Sequence, residues 1–166
     1  MGPVQGVGYI NELLARLTEK PVSDNTQTNR TLDASPITFP LDRTLYADFS
    51  HDNQMIAIYA ALGLFNQSAL LDPSMPDPKR TWITSRLTPF SARMVTERLS
   101  CITSGGNDHG HIAQTGVYVR ILVNDVLQPL KFCGADKNGL CTLSDFVSSQ
   151  GYARNNGEGD FEKCFP

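Results

Sequence analysis

A chain of 166 residues, 40% hydrophobic and 19% charged, is long enough to bury one real core and too ordinary in composition to be disordered. A net charge of −3, a pI near 5.5 and 14 scattered basic residues, never more than two in a row, exclude a nucleic-acid footprint. No apolar run reaches the roughly 20 residues that a membrane-spanning helix needs, so no membrane partner is expected. Met1-Gly2-Pro3 shows neither the basic nor the apolar region of a signal peptide. Yet two N-glycosylation sequons, at Asn29 and Asn66, and four cysteines, Cys101, Cys133, Cys141 and Cys164, suit an exported protein. Export features without an export signal predict a chain missing its beginning, and no internal repeat is visible.

In chain order, Ile10, Leu13, Leu14 and Leu17 fall at helical spacing and predict an amphipathic helix over 8–20, stopped by Pro21. Gly6-x-Gly8 ahead of it lacks the third glycine and the preceding strand of a dinucleotide loop. Residues 22–43, rich in Ser, Thr, Asn, Asp and Pro, read as an exposed connection. Thr44 to Phe65 then reads as a buried strand in which Leu45, Ala47 and Phe49 alternate, a polar turn at Ser50-His51-Asp52-Asn53, and a helix hidden on nearly every side and ended by Gly63. Leu71 to Lys79, with three prolines, reads as a loop, Trp82 to Pro89 as extended, and Ser91 to Cys101 as a strand in preference to a helix. Ile102 to Gly116 reads as a polar insertion. Val117–Val123 and Val126–Leu130 form the clearest hairpin, joined at Asn124-Asp125. Thr142 with Asp145 predicts a capped short helix, followed by a Gly/Asn-rich tail.

The turn carries the chemistry. A buried helix aims its free N-terminal N–H groups into it, which favours an anion, and the turn adds an imidazole and a carboxyl group. Ser50, His51 and Asp52 are contiguous and cannot line up as a hydrolase triad. Instead His51 is placed to donate to a phosphate oxygen and Asp52 to hand a proton to a leaving alcohol. A helix N-terminus favours the carboxylate, so an acid there needs a bound dianion or an acidic medium, and an acid optimum follows. The plainer reading makes Asp52 a helix N-cap and His51 a turn residue. Asp108, His109 and His111 read as solvated loop in preference to a metal site, so no metal is expected. Tyr46 and Tyr59 read as core packing and Lys79-Arg80 as loop charge. Cys133 and Cys141 enclose a loop short enough to staple directly, and Cys164 is the alternative partner for Cys101.

Taken together, GVGYINELLARLT at Gly6, TLDASPITFPLDRTLYADFSHDN ending at Asn53, ALGLFNQS at Ala61, PFSARM at Pro89, VRILVNDVLQPL at Val119 and CGADKNGLCTLSDF at Cys133 resemble the C-terminal portion of fungal phytases, which are secreted histidine acid phosphatases. The resemblance omits the Leu71–Arg80 loop and the Ile102–Gly116 insertion. It implies an α/β fold, the C-terminal part of the histidine acid phosphatase fold: a mixed sheet flanked by helices, a β-hairpin and a disulfide-stapled tail, in one partial domain over 1–166. It implies that His51 contacts the transferred phosphoryl group, Asp52 is the proton donor and Asn53 lies at the pocket edge. It also implies a Cys133–Cys141 disulfide, with partners of Cys101 and Cys164 outside this stretch. The family's Asn-x-Thr before the strand is altered, since Asp42 replaces its Asn.

The family's nucleophilic histidine lies in Arg-His-Gly-x-Arg-x-Pro, and this sequence contains no Arg-His pair. Neither His109 nor His111 has the flanking arginines that clamp phosphate. The expectation is therefore part of a secreted enzyme that hydrolyses phosphomonoesters such as phytate, inositol hexakisphosphate, through a phosphohistidine and without metal or other cofactor. Alone the chain is expected to be inactive. The rivals are a non-catalytic secreted module that binds phosphate or inositol phosphate, and a fragment without independent function whose open sheet edge aggregates.

Overall fold

The computed structural model describes residues 2–67, 69–104 and 113–164. The chain divides into two compact units: the first takes everything up to Ala92 together with the stretch from Gln150 onward, and the second is Arg93–Ser149.

In the first unit a 3₁₀ turn, Pro3–Gly6, runs into helix α1, Val7–Thr18. The predicted periodicity holds. Val7, Ile10, Leu14 and Leu17 are buried along one face. The helix stops before Pro21, because Glu19 takes a left-handed conformation (φ 57°) and the Lys20 N–H donates to the Ala15 carbonyl at 3.1 Å. A single turn, α2 (Arg30–Asp33), interrupts the expected connection, capped by the Asn29 side chain, which accepts from the N–H groups of Thr31 and Leu32. Helix α3, Asp52–Leu62, ends at Gly63 (φ 79°), as the glycine predicted.

Helix α3 lies against the Pro3–Gly6 turn, and Gly6 permits it. A Cβ at that position would sit 2.5 Å from the Ala57 carbonyl oxygen and 2.7 Å from the Ala61 Cβ. Ala57, Ile58, Tyr59 and Leu62 of α3 are buried, whereas Asp52, Asn53 and Gln54 are exposed. The helix is therefore covered on one side, not on nearly every side. Tyr59 packs edge-on to Phe65, with ring centroids 5.5 Å apart, and Phe65 in turn to Trp82 at 6.5 Å.

Two expected extended segments are corrected. Thr44–Phe49 forms no strand: Leu45 is 82% and Phe49 99% exposed. A strand needs a neighbouring edge for its N–H and C=O groups, and among the described residues no backbone hydrogen bond ties 44–50 to another strand. Trp82–Pro89 is not extended either. Without a partner edge, residues 84–87 close on themselves as a helical turn, α4 (Thr84–Leu87), begun by Arg86 and Leu87 N–H groups donating to the Ile83 carbonyl.

The second unit is an antiparallel sheet with one helix. Strand β1, Met94–Ser104, pairs along its whole length with β2, Ala113–Val123, from Met94 opposite Val123 to Ser104 opposite Ala113. The strand reading of 91–101 holds, and the ladder extends into both ends of the stretch taken as a polar insertion. Beyond the Asn124-Asp125 turn, both residues with positive φ as a two-residue type I′ hairpin needs, β3 is only Val126–Leu127. Strand β4, Cys141–Thr142, pairs with β2 through Val119 and Tyr118. Val119, Ile121 and Val123 alternate onto the buried face with Leu130 and Phe146. On the other face of the ladder Arg120 donates to Glu97, directly opposite, at 2.6 Å.

A disulfide joins Cys133 to Cys141 across 6.0 Å between their Cα atoms, and Cys101 is a free thiol. Helix α5, Leu143–Ser149, is capped by Thr142 as predicted: the Asp145 N–H donates to the Thr142 hydroxyl at 3.1 Å, and that hydroxyl donates to the Asp145 carboxylate at 2.6 Å. Thr142→Ala should lower the stability of this unit by about 1 kcal/mol, read as a shift in its urea midpoint. The chain then returns to the first unit through α6, Gly151–Arg154, and two 3₁₀ turns.

Candidate functional site

The site is built where the unpaired segment 44–50 meets α3. His51 is the helix N-cap, with extended backbone (φ −123°, ψ 164°), and its carbonyl accepts the first helical hydrogen bond from Met55 N–H at 2.9 Å. Its imidazole makes no capping bond. Cap geometry therefore does not account for the side chain, which stays exposed beside the first turn. Asp52 is the first residue inside the helix, not the cap that the plainer reading made it. One of its carboxylate oxygens accepts from the Asn53 N–H at 2.8 Å, and the Asn53 side-chain oxygen accepts from Gln54 N–H at 2.9 Å. The Gln54 amide reaches back to the Gln5 carbonyl at 3.2 Å, which holds the first turn of α3 to the turn before α1.

His51, Asp52 and Asn53 are thus brought together, all exposed, at the positive end of an 11-residue helix. The arrangement offers a phosphate-sized anion an imidazole donor and the helix dipole, with a carboxyl group next to both. Asp108, His109 and His111 lie outside the described residues, and among the described residues no three His, Cys, Asp or Glu side chains gather into a metal-binding group. Asn29 and Asn66 are both exposed.

Sequence reasoning missed the groups behind this turn. Asp48, three residues before His51, accepts two hydrogen bonds from the Arg16 guanidinium of α1, at 2.6 and 3.1 Å. The same guanidinium lies over the rings of Phe39 (4.8 Å) and Tyr46 (5.0 Å). Tyr46 is therefore not core, unlike the fully buried Tyr59, whose phenol burial pushes up to about 12 and whose hydroxyl has no partner. Around Arg16, burial pushes Tyr9 up to about 12, with Asp48 adding to it. Burial and the neighbouring Asp33 raise Glu12 to about 7, against the opposing pull of Arg16. Glu12 and Arg16, one turn apart on α1, mark its polar side in the sequence, but nothing local announces that Asp48 is the partner of Arg16.

Residues 1–124 match the family model of the histidine phosphatase superfamily, branch 2. The chain belongs to that superfamily. Among its relatives, Phytase A of Emericella nidulans is 45% identical over 168 residues, covering 99% of this chain and 34% of that protein. Phytase A of Arthroderma benhamiae is 46% identical over 162 residues, covering 96% and 34%. The chain spans about a third of the length of the curated relatives it matches. The crystal structure of the phytase from D. castellii superposes with a TM-score of 0.64 at 22% identity, over 95% of this chain and 27% of that one. That likeness shows the fold: the chain is α/β, with the C-terminal architecture expected of the histidine acid phosphatases. No helix among its described residues is long and apolar enough to cross a membrane.

Proposed function

We propose that this chain supplies the proton-donor half of a phytase-type phosphomonoester hydrolase. The observation that carries the reading is His51-Asp52 standing exposed at the start of α3 in a chain 45% identical to a Phytase A over nearly its whole length. His51 donates to an oxygen of the phosphoryl group, and Asn53 borders the pocket. As the bond from phosphorus to the ester oxygen breaks, Asp52 gives its proton to that oxygen and the alcohol departs. The attack itself belongs to a histidine in an Arg-His-Gly-x-Arg-x-Pro motif, which these 166 residues do not contain. The substrate class is phosphomonoesters including phytate, the chemistry needs no metal, and the protein is exported, with glycans at Asn29 and Asn66.

A second reading, a non-catalytic module that binds phosphate or inositol phosphate at the same turn, is favoured by the lack of any Arg-His pair. One experiment addresses both. Titrating the ¹⁵N-labelled chain with inorganic phosphate at pH 5 should shift the amides of residues 51–54. His51→Ala should weaken binding at least about tenfold, as expected for a lost charge-assisted hydrogen bond, while Asp52→Asn should still bind. No phosphate should be released from a phosphomonoester at acid pH. Release abolished by Asp52→Asn would refute the half-site reading, and amides unmoved by phosphate would refute both.

A further inference from the structure

The segment that delivers His51 and Asp52 has little to hold it. Among the described residues, 44–50 make no backbone hydrogen bond to another segment, and Leu45 and Phe49 anchor nothing, being almost fully exposed. Beyond the local bond from the Arg43 N–H to the Tyr46 hydroxyl at 3.1 Å, what fastens the segment among the described residues is a side chain of α1. Arg16 is only 14% exposed, and both its prongs reach the Asp48 carboxylate. Its flat face is bracketed by Phe39 before the segment and Tyr46 within it. Helix α1 is itself seated in the core through Val7, Ile10 and Leu14. A rigid element therefore grips a loose one three residues ahead of the candidate phosphate ligand. An isolated surface ion pair contributes almost nothing because two long side chains must be immobilised in water. This one differs: the guanidinium is mostly buried, forked onto one carboxylate and stacked, which is the arrangement that makes Arg irreplaceable by Lys.

We infer that Arg16 is a positioning residue, which through its two-pronged grip on Asp48 holds the His51-Asp52 turn in the place where it meets a phosphoryl group. Arg16 touches no reacting atom in this scheme. It acts through Asp48 and the short backbone that follows. The inference rests on the phosphate reading of that turn, and the test below separates the two.

The ¹⁵N-labelled 166-residue chain and its variants Arg16→Met, Arg16→Lys and Asp48→Asn are compared by heteronuclear NOE over residues 45–50 and by titration with inorganic phosphate. Arg16→Met keeps an apolar stem on α1, and Asp48→Asn changes an exposed group, so at least the second leaves the core alone; unchanged amide shifts at Ile10 and Leu14 verify this. Expected are a lowered NOE across 45–50 in all three variants and phosphate affinity at 51–54 reduced about fivefold, short of the roughly tenfold or more that losing one whole charge-assisted hydrogen bond would cost. Arg16→Lys should rescue little, and combining Arg16→Met with Asp48→Asn should do no more than either alone. A folded Asp48→Asn with unchanged NOE and affinity within twofold of the parent would overturn the inference. If the parent itself ignores phosphate, the functional reading falls, and the NOE comparison alone decides whether Arg16 fixes the segment.

Discussion

Replacing Asp24 with alanine should remove about 2–4 kcal/mol from the stability of the first unit. Asp24 is 8% exposed, and its carboxylate is a hub. It accepts from the Asn11 amide at 2.8 Å, from the Thr26 hydroxyl at 2.8 Å and N–H at 2.9 Å, and from the Thr28 N–H and hydroxyl at 3.2 Å. Asn11 is itself buried in α1 and also donates to the Ala153 carbonyl at 3.0 Å. Truncation would leave the buried Asn11 amide and the half-buried Thr26 and Thr28 donors without this acceptor at once, which costs more than the bonds are worth singly. Asp24→Asn, keeping one acceptor, should fall between. Burial alone would push the Asp24 carboxyl up, but the bonds from Asn11, Thr26 and Thr28 outweigh it and hold it below the ordinary value of 3.8. A lowered folded value means that this stabilisation is complete above about pH 4 and is lost as pH falls through the lowered value. Chemical denaturation at pH 6 and pH 3 checks both halves: the gap between parent and Asp24→Ala should narrow at pH 3. A loss below about 0.5 kcal/mol at pH 6 would contradict the hub.

Glu12 slopes the other way. Its carboxyl is raised from 4.5 to about 7, first by burial and then by Asp33, with Asp48 and Asp24 adding and Arg16 opposing. Since the folded value lies above the unfolded one, the folded chain keeps a proton that the unfolded chain has lost. Stability is full below about 4.5 and drains away as pH rises through 7. In a dry site that shift would amount to roughly 3 kcal/mol; for a half-buried carboxyl, solvent screening brings it to the order of 1–2 kcal/mol. Glu12→Gln should therefore be more stable than the parent at pH 8 by that amount and equal to it at pH 4. A variant that loses stability with pH as steeply as the parent would show that another group carries the slope. Asp24 favours pH above its lowered value and Glu12 favours pH below about 7, so these two groups together favour weak acid.

Much of the architecture was legible because it is written locally. The spacing of Ile10, Leu13, Leu14 and Leu17, the terminator Gly63, the Asn124-Asp125 turn and the Thr142/Asp145 cap each act within one turn of chain. The failures were long-range. Leu45, Ala47 and Phe49 alternate as a strand should, but alternation only makes a segment fit for pairing, and this one has no edge beside it. Strand β1 runs past the apolar pattern into Ser104 because its partner continues there, which no residue within the strand declares. At the candidate site, the turn and its residue types were readable from His51-Asp52-Asn53. The grip of Arg16 was not, because its partner lies 32 positions away and only folding makes them neighbours.

The first unit is sewn shut by its latest residues: Asn11 bonds to Ala153, and the Asn25 N–H donates to the Asn156 side chain at 2.8 Å. During synthesis this imposes an order. Residues 93–149, whose pairings are all internal to that stretch, are complete while α1 still waits for the segment that will cover it. A chain synthesised only as far as Ser149 therefore holds every strand pairing of the second unit while the first still lacks its bonds to Ala153 and Asn156.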